Sequence, residues 1–247
     1  MNRSFSISGG SVTGRHHVRA GHNNQDAFAW RTTASASLIT AVCDGCSSGS
    51  HSEVGARLGS ALLVQAVAQE LGEASPLEIV ERTQRRVLEE LARIARAMCE
   101  EDPEQEALRR TVEETFLFTV VGVVLREDRA FAFTLGDGLL AVNGKVERLG
   151  PFPGNAPPYL GYGLCEPDSG RWSLETRLLP SPTEIESLVI ATDGAAGLDL
   201  APFVTDPRVV ANPDMVRRLL WQQARARNLD DDATLVVIRR AAGEGTP

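Results

Sequence analysis

Apolar residues recur with helical spacing in two neighbouring stretches, residues 53–73 and 77–98. Ser75, Pro76 and Glu78 precede the second stretch as a predicted N-cap, first-turn proline and capping-box acid. The turn between the stretches is short, and each stretch has charged residues opposite its apolar face. The pattern therefore predicts two amphipathic helices packed as an antiparallel pair.

Short apolar runs bounded by turn residues predict strands in the rest of the chain. They cover residues 38–43, 115–125, 130–135, 139–142, 188–191 and 234–239. The dipeptides Asp137-Gly138 and Asn143-Gly144 flank one run and indicate successive hairpins. Residues 150–182 are rich in Gly and Pro and predict a flap-like loop, whereas residues 212–227 predict a last helix.

The order of these elements is not a βαβ alternation, so mostly antiparallel sheets are expected. Because each helix has one apolar face to bury, we predict an α+β fold, a four-layer α-β-β-α sandwich with two sheets flanked by helices. Residues 1–247 are interpreted as a single domain, with an ordered core of about 14–240 and a frayed tail at 241–247.

Composition narrows the classes of function. The chain has 247 residues, 43% of them hydrophobic, and can bury a sizeable core; its net charge of −8 and pI of about 5.1 argue against nucleic-acid binding. No apolar run approaches the roughly 18 residues of a membrane span. The first ten residues also lack the apolar core of a signal peptide, so a cytoplasmic protein without a membrane partner is expected.

Four cysteines are too few for a disulfide framework at this length. Cys43 and Cys46 form a CxxC pair, but no second pair accompanies it and Cys43 lies within an apolar strand. Two ordinary thiols are therefore favoured over a zinc or redox site.

Five acidic residues lie at the ends of predicted strands. Three apolar strands end in Asp-Gly, at Asp44, Asp137 and Asp193, while Asp26 and Asp231 stand where strands begin. In an antiparallel sheet, a strand leaving one edge neighbours a strand entering it. All five carboxylates can therefore lie at a single edge.

Carboxylates packed together raise one another's pKa unless cations lie among them. Oxygen ligands without a His/Cys cluster favour Mg²⁺ or Mn²⁺ over zinc, and the Gly45 carbonyl could be a further ligand. Taken singly, Asp137 is typical of a turn and Asp193 of a helix cap. Asp230 and Asp232 are predicted to be solvated loop charges.

Five segments, in order, resemble the motifs of the metal-dependent protein phosphatase 2C (PPM) family, bacterial type. The resemblance covers about residues 14–239. The segments are Asn24-Gln25-Asp26, Asp44-Gly45 followed by Glu53, Gly136-Asp137-Gly138, Thr192-Asp193-Gly194 and Asp231-Asp232-Ala233-Thr234.

The resemblance implies a β-sandwich flanked by helices and a centre of two Mg²⁺ or Mn²⁺ ions. Asp44 would bridge the ions and the Gly45 carbonyl would bind one of them. Asp193 and Asp231 would hold the other ion, and Asp26 would act through metal-bound waters.

Asp137, together with Asp193, would serve a third, weaker metal site of the kind found in bacterial members. Two ions about 3.5–4 Å apart would turn a bridging water into hydroxide that attacks phosphorus in line. This implied chemistry needs no covalent intermediate, so a nucleophilic Cys or Ser is not required.

The chain departs from the family at the phosphate-binding position. Many members have an arginine five residues before the first Asp, where this chain has Gly21. Arg19 is two residues away, and His17 stands in a Gly-x-x-His arrangement that resembles a bacterial sub-branch. His17 and Arg19 are thus the candidates for phosphate contact or proton donation, alongside Asp44 as the central catalytic acid. The alternative for the histidines here is an exposed polar loop.

Three functions are consistent with these motifs. The first is a Mg/Mn-dependent phosphoserine/phosphothreonine protein phosphatase, monomeric, that acts on a phosphoprotein and opposes a Ser/Thr kinase. The alternative is a catalytically weak or inactive phosphatase-like regulatory domain, suggested by the missing arginine and by Cys46 and Ser47 after the Asp-Gly. A small-molecule phosphatase is a third, weaker option.

Overall fold

The structure, a computed structural model, describes residues 5–99, 105–167, 169–227 and 229–241. The strands in these residues are β1 (Phe5–Val12), β2 (Asp26–Thr32), β3 (Leu38–Asp44), β4 (Val120–Leu125), β5 (Ala130–Leu135), β6 (Gly138–Val142), β7 (Lys145–Leu149), β8 (Glu175–Leu178), β9 (Ser187–Ala191) and β10 (Ala233–Arg240). The α-helices are α1 (Arg15–Ala20), α2 (Ser52–Glu70), α3 (Pro76–Met98), α4 (Gln105–Thr111), α5 (Ala201–Thr205), α6 (Arg208–Ala211) and α7 (Met215–Arg227).

The strands form two five-stranded sheets. The first sheet has the order β1-β10-β9-β6-β7 and the second the order β2-β3-β4-β5-β8. Neighbouring strands in both sheets run antiparallel. Each sheet therefore places the end of one strand beside the start of the next, as the sequence predicts.

The two sheets pack face to face and helices cover their outer faces. Side chains such as Val42, Val121, Leu140, Ile190 and Val236 fill the space between the sheets. Helices α2 and α3 pack on the second sheet, and α5, α6 and α7 pack on the first. The predicted four-layer α-β-β-α sandwich is confirmed.

The predicted helix pair corresponds to α2 and α3. The Ser75 hydroxyl accepts a hydrogen bond from the Glu78 backbone N–H, and the Glu78 carboxylate accepts one from the Ser75 backbone N–H. This reciprocal pair is the predicted capping box, and it begins α3 at Pro76.

The prediction of successive hairpins is half wrong. Asn143 and Gly144 have φ angles of 50° and 80° and form the hairpin between β6 and β7. Asp137-Gly138 instead lies where the chain leaves β5 of the second sheet and enters β6 of the first. Gly136 has a φ of 83°, which a residue with a side chain rarely adopts, and this conformation accompanies the crossing between sheets.

Two further strands differ from the expectations. β1, FSISGGSV, lies before the predicted start of the core at residue 14 and pairs with β10 along its whole length. Its Ser and Gly residues have low strand propensity, so pairing and packing determine it rather than local sequence. The 150–182 segment contains β8, which pairs with β5, as well as short 3₁₀ turns. It is therefore not wholly a loop. The predicted frayed tail lies outside the described residues apart from Ala241.

Among the described residues, no helix is both long enough and apolar enough to cross a lipid bilayer.

Candidate metal centre

The second sheet brings the first two acids together. β2 begins at Asp26 and β3 ends at Asp44, and the antiparallel register places these residues directly opposite each other. The Thr119 backbone N–H donates to the Asp44 carbonyl over 2.8 Å, which fixes the end of β3 against the approach to β4. As cross-strand neighbours, the carboxylates of Asp26 and Asp44 lie close enough for their charges to interact.

The first sheet contributes two more acids through the neighbouring strands β9 and β10. Asp193 follows the end of β9 and Asp231 precedes the start of β10; the Thr192 backbone N–H donates to the Thr234 carbonyl over 3.0 Å. The Thr192 hydroxyl donates to Asp26 Oδ2 over 2.7 Å. This hydrogen bond joins the two sheets at the edge that carries the acids.

Asp137 lies at the same edge, on the crossing from β5 to β6. Burial, followed by the charges of the Asp193 and Asp231 carboxylates, raises the pKa of Asp137 to about 6. Its two neighbours place Asp137 at this edge. A Cβ on Gly136 would lie 2.7 Å from Thr119 Cγ2, beside Asp44. A Cβ on Gly138 would lie 2.8 Å from the Ala191 carbonyl oxygen at the end of β9. The five acids at strand ends therefore share one edge of the sandwich, hereafter the acidic edge.

The pKa values of four members of the acidic edge are raised. Burial raises the pKa of Asp26 to about 7, with Asp232 and Asp231 adding to the shift and the Thr192 hydrogen bond opposing it. Burial, followed by the charges of Asp26, Asp193 and Asp231, raises the pKa of Asp44 well above its usual range. Asp231 shifts in the same direction, first by burial. Negative charge is therefore costly here unless a cation accompanies it.

The donors at the acidic edge suit a hard divalent cation. Asp26 is buried, and its Oδ1 atom has no hydrogen-bond partner although Oδ2 accepts from Thr192. An unpaired buried carboxylate oxygen among repelling carboxylates is stabilised by a cation, and oxygen-only donors favour Mg²⁺ or Mn²⁺. Among the described residues, however, no three His, Cys, Asp or Glu side chains converge closely enough to hold an ion as they stand. The donor chemistry fits a metal, and the side chains would have to draw together around it.

The prediction for the two acids beside Asp231 is right for one and wrong for the other. Asp230 is exposed and pairs with the Arg15 guanidinium. Asp232 is only 3% exposed, and it accepts hydrogen bonds from the backbone N–H groups of Gly14 (2.7 Å) and Gln25 (2.6 Å). Tertiary contact with two distant segments buries this carboxylate, and a run of three aspartates in the sequence carries no signal of it.

The candidate phosphate-binding residues both lie on α1. His17 Nδ1 is 2.9 Å from Asp232 Oδ2, and His17 partly opposes the rise that burial causes in the pKa of Asp231, so this ring lies beside the acidic edge. Arg19 is exposed on the same helix. The histidine is therefore not the exposed loop residue of the alternative reading, whereas His16 is exposed.

Sequence reasoning missed a further basic residue near Asp26. Arg57 of α2 lines a small cavity of about 260 Å³ together with Ser11, Asn24 and Asp26. Arg57 lies four residues after Glu53, and only the packing of α2 on β2 brings it near the first motif.

The sequence model described as Protein phosphatase 2C matches residues 13–233 of the chain. The chain belongs to the protein phosphatase 2C family. No curated protein matches it.

Solved structures share the protein phosphatase 2C fold with this chain at low sequence identity. A serine/threonine phosphatase from S. agalactiae is 17% identical with a TM-score of 0.59, over 96% of this chain and 100% of that one. The serine/threonine phosphatase Stp1 from Staphylococcus aureus is 14% identical with a TM-score of 0.55, over 96% and 95%. A C. elegans sex determining protein is 15% identical with a TM-score of 0.62, over 96% of this chain and 65% of that one.

The turn after Asp44 in this protein phosphatase 2C chain is tightly packed. A side chain on Gly45 would place its Cβ 2.9 Å from the carbonyl oxygens of Gln25 and Ser52, so only glycine fits. Cys46 is buried and its Sγ lies 3.1 Å from the Ser48 hydroxyl. The Gly45 carbonyl as a metal ligand stays a prediction.

The 150–182 segment reaches this turn through Tyr159, which sequence reasoning did not single out. Burial raises the pKa of Tyr159 above its usual range, as do a hydrogen bond with Cys46 and the charges of Asp44 and Asp137. The phenol of Tyr159 therefore lies beside both the acidic edge and the turn after Asp44 that contains Cys46. The apolar run around Tyr159 gives no such signal, because the contact joins residues more than a hundred positions apart.

Proposed function

We propose that this protein is a Mg²⁺- or Mn²⁺-dependent phosphatase that hydrolyses phosphoserine and phosphothreonine esters on proteins. The supporting observation is the acidic edge: five carboxylates, four of them with raised pKa values and one of these with a buried oxygen that lacks a partner. Membership of the protein phosphatase 2C family agrees with this chemistry.

Asp44 and the Gly45 carbonyl would hold one ion, with Asp44 shared by a second ion that Asp193 and Asp231 hold. Asp26 would act on the waters around them, and Asp137 with Asp193 would serve a third, weaker site. When bound, such ions supply Lewis acidity toward water and the phosphoryl group.

The chain's own residues then have distinct tasks at the acidic edge. The Thr192 hydroxyl holds Asp26 against the other sheet. His17 and Arg19, with Arg57 near Asp26, are the basic side chains proposed to bind the phosphate oxygens. Tyr159 lies beside Cys46 and is proposed to restrict access of water to the site.

The proposed substrate is a phosphoprotein, so the protein would oppose a Ser/Thr kinase. We further propose that it acts as a cytoplasmic, single-domain monomer, without nucleic-acid or membrane partners. Its acidic character, with a net charge of −8, supports the first of these exclusions.

The direct test measures turnover of a phosphothreonine peptide and of p-nitrophenyl phosphate against Mn²⁺ and Mg²⁺ concentration. We expect activity that rises with either ion and disappears with EDTA. Asp214→Asn, at the surface just before α7, is the matched control and should retain full activity. Absence of metal-dependent turnover on both phosphoesters would reject the proposal.

A regulatory, non-catalytic role is the second candidate. Two observations favour it: no three ligands converge as the side chains stand among the described residues, and Cys46 is packed into the turn after Asp44. Calorimetry that shows Mn²⁺ binding to a protein without phosphoesterase activity would support this role.

A small-molecule phosphatase would be distinguished by its substrate preference. Rates on phosphopeptides that exceed those on sugar and nucleotide phosphates support the protein phosphatase, and the reverse order supports the small-molecule enzyme.

A further inference from the structure

Asp232 contacts three positions that lie more than two hundred residues earlier in the chain. Its Oδ1 atom accepts the Gly14 backbone N–H, and its Oδ2 atom accepts the Gln25 backbone N–H while lying 2.9 Å from His17 Nδ1. One buried carboxylate thus contacts the segment before α1, the ring of His17 and the residue that precedes Asp26.

The backbone around Asp232 is held closely from two sides. A Cβ on Gly14 would lie 2.2 Å from the carbonyl carbon of Asp231, and a Cβ on Gly194 would lie 1.9 Å from the carbonyl oxygen of Asp232. Such approaches are possible only for glycine, so the Asp231–Asp232 backbone has little room to move. The groups that contact the Asp232 carboxylate therefore have a fixed position relative to Asp231.

The carboxylate also determines which ring nitrogen of His17 carries hydrogen. An ionised carboxylate only accepts hydrogen bonds, so the nitrogen that faces it must be the N–H. The contact at 2.9 Å does not have hydrogen-bond alignment, and Nδ1 has no other hydrogen-bond partner. The short distance supports the assignment, because a nitrogen lone pair 2.9 Å from an ionised carboxylate oxygen would be repelled. Nε2 does not face Asp232, and in the imidazolium form it carries the second N–H, which can donate to a ligand.

We propose that Asp232 is a positioning residue that orients His17 so that, when the ring is an imidazolium, its Nε2–H donates to a phosphate oxygen of the substrate at the acidic edge. The inference rests on the proposed function, since it assigns His17 the phosphate contact. Asp232 itself touches neither substrate nor metal. Its effect passes through the ring of His17 and through the Gly14 and Gln25 backbone.

The arrangement accounts for two features of the chain. An arginine is absent at position 21, and an oriented imidazole replaces its phosphate contact from one turn earlier. Asp232 is buried beside a solvated neighbour, Asp230, because only Asp232 has partners on α1 and before β2. A carboxylate that orients a histidine through its second nitrogen is a common device in protein sites.

The test is a double-mutant cycle of Asp232→Asn and His17→Gln. Asparagine has the size of Asp232 but only one acceptor oxygen. It therefore lacks the second oxygen that accepts the Nδ1–H of His17. We expect each single variant to lose about tenfold to a hundredfold in kcat/KM for the phosphopeptide, mainly through KM, and inorganic phosphate to inhibit both more weakly. The double variant should be no more than about twofold worse than His17→Gln alone.

Asp230→Asn is the matched control, because it removes an adjacent but exposed carboxylate, and its kinetics should be unchanged. The proposal would be overturned if the losses of kcat/KM multiplied in the double variant. It would also be overturned if the loss of kcat/KM in Asp232→Asn were explained by a lowered Tm, which would indicate a purely structural role.

A second measurement does not depend on activity or on any variant that must fold. Two-bond ¹⁵N–¹H correlation spectra of the wild-type imidazoles should show hydrogen on Nδ1 of His17, with His16, His22 and His51 as internal references. A neutral His17 with hydrogen on Nε2 alone would overturn the proposal. If wild-type protein lacks turnover but shows the Nδ1–H form, the proposed function fails while the orientation of His17 by Asp232 stands.

Discussion

Two groups of aspartates in this protein behave in opposite ways. On the surface, Asp214 precedes α7 and accepts hydrogen bonds from Arg217 Nε (2.6 Å) and Arg218 Nε (2.9 Å), which lower its pKa to about 2. At the acidic edge, burial and neighbouring carboxylates raise the pKa of Asp26 to about 7. The same side chain is thus stabilised as an anion in one place and destabilised in the other.

The difference lies in where the compensating charge comes from. Arg217 and Arg218, which pair with Asp214, lie three and four residues later on α7, so this arrangement is local and exposed. The acids of the edge come from five segments spread between residues 26 and 231, and their neighbours are mainly other acids. We therefore expect a cation from solution to compensate most of their charge, and each of the following tests probes that distinction.

The largest effect is expected from Asp44→Asn or Asp193→Asn. Either variant should lose about a thousandfold in kcat/KM with saturating Mn²⁺, because a shared ligand and its charge are gone. Without metal, the same variants should have a Tm equal to or above that of the wild type, since a repelling carboxylate is removed. A loss of activity accompanied by a large loss of metal-free stability would instead indicate a structural role.

A smaller but clear effect on the stability of the folded protein is expected when Mn²⁺ is added or removed. Addition of Mn²⁺ at about a hundred times its Kd should stabilise the folded protein by about 2.7 kcal/mol. Differential scanning fluorimetry should show a rise in Tm that EDTA reverses. The rise should persist in Asp214→Asn and vanish in Asp44→Asn; an equal rise in both would place the metal elsewhere.

The pH dependence of the metal-free protein should follow the raised pKa values. Asp26 and Asp137 have pKa values of about 7 and about 6 when folded, against ordinary values of 3.8. The folded state therefore binds more protons than the unfolded state between about pH 4 and 7, and the free energy of unfolding falls as pH rises through this window. The loss should amount to several kcal/mol over this window, at about 1.4 kcal/mol per pH unit for each group that is protonated only in the folded state.

Urea denaturation in EDTA at pH 5, 6, 7 and 8 measures this slope, and Mn²⁺ should flatten it. Stability that increases from pH 5 to pH 7 in EDTA would contradict the comparison of the two groups of aspartates.

The smallest effect is expected from Asp214→Asn. Exposed ion pairs contribute little because water and salt screen them, so Tm should shift by no more than about 2 °C, and kcat/KM should not change. A marked loss of activity would mean that the surface group also serves the site.

The fold class and the acidic edge were accessible from the sequence because both depend on periodic patterns. Apolar runs that end in Asp-Gly at Asp44 and Asp193, together with antiparallel geometry, predict a common edge without any coordinates. The helix pair and its capping box at Ser75 follow from equally local signals.

The errors concern features that depend on contacts between distant segments. β1 is a strand because β10 pairs with it, not because FSISGGSV favours extended backbone. Asp137-Gly138 has the composition of a hairpin but connects two sheets. Asp232 is buried by Gly14 and Gln25, more than two hundred residues away, and no spacing rule within the chain anticipates that.

The hydrogen bond from Thr192 to Asp26 has a consequence for the order in which the protein matures. A ribosome that has translated only as far as β8 has already made Asp26, Asp44 and Asp137, but their counterparts on β9 and β10 do not yet exist. If the proposed function holds, a nascent chain would lack activity until β10 emerges, and a fragment that stops before residue 231 would be inactive.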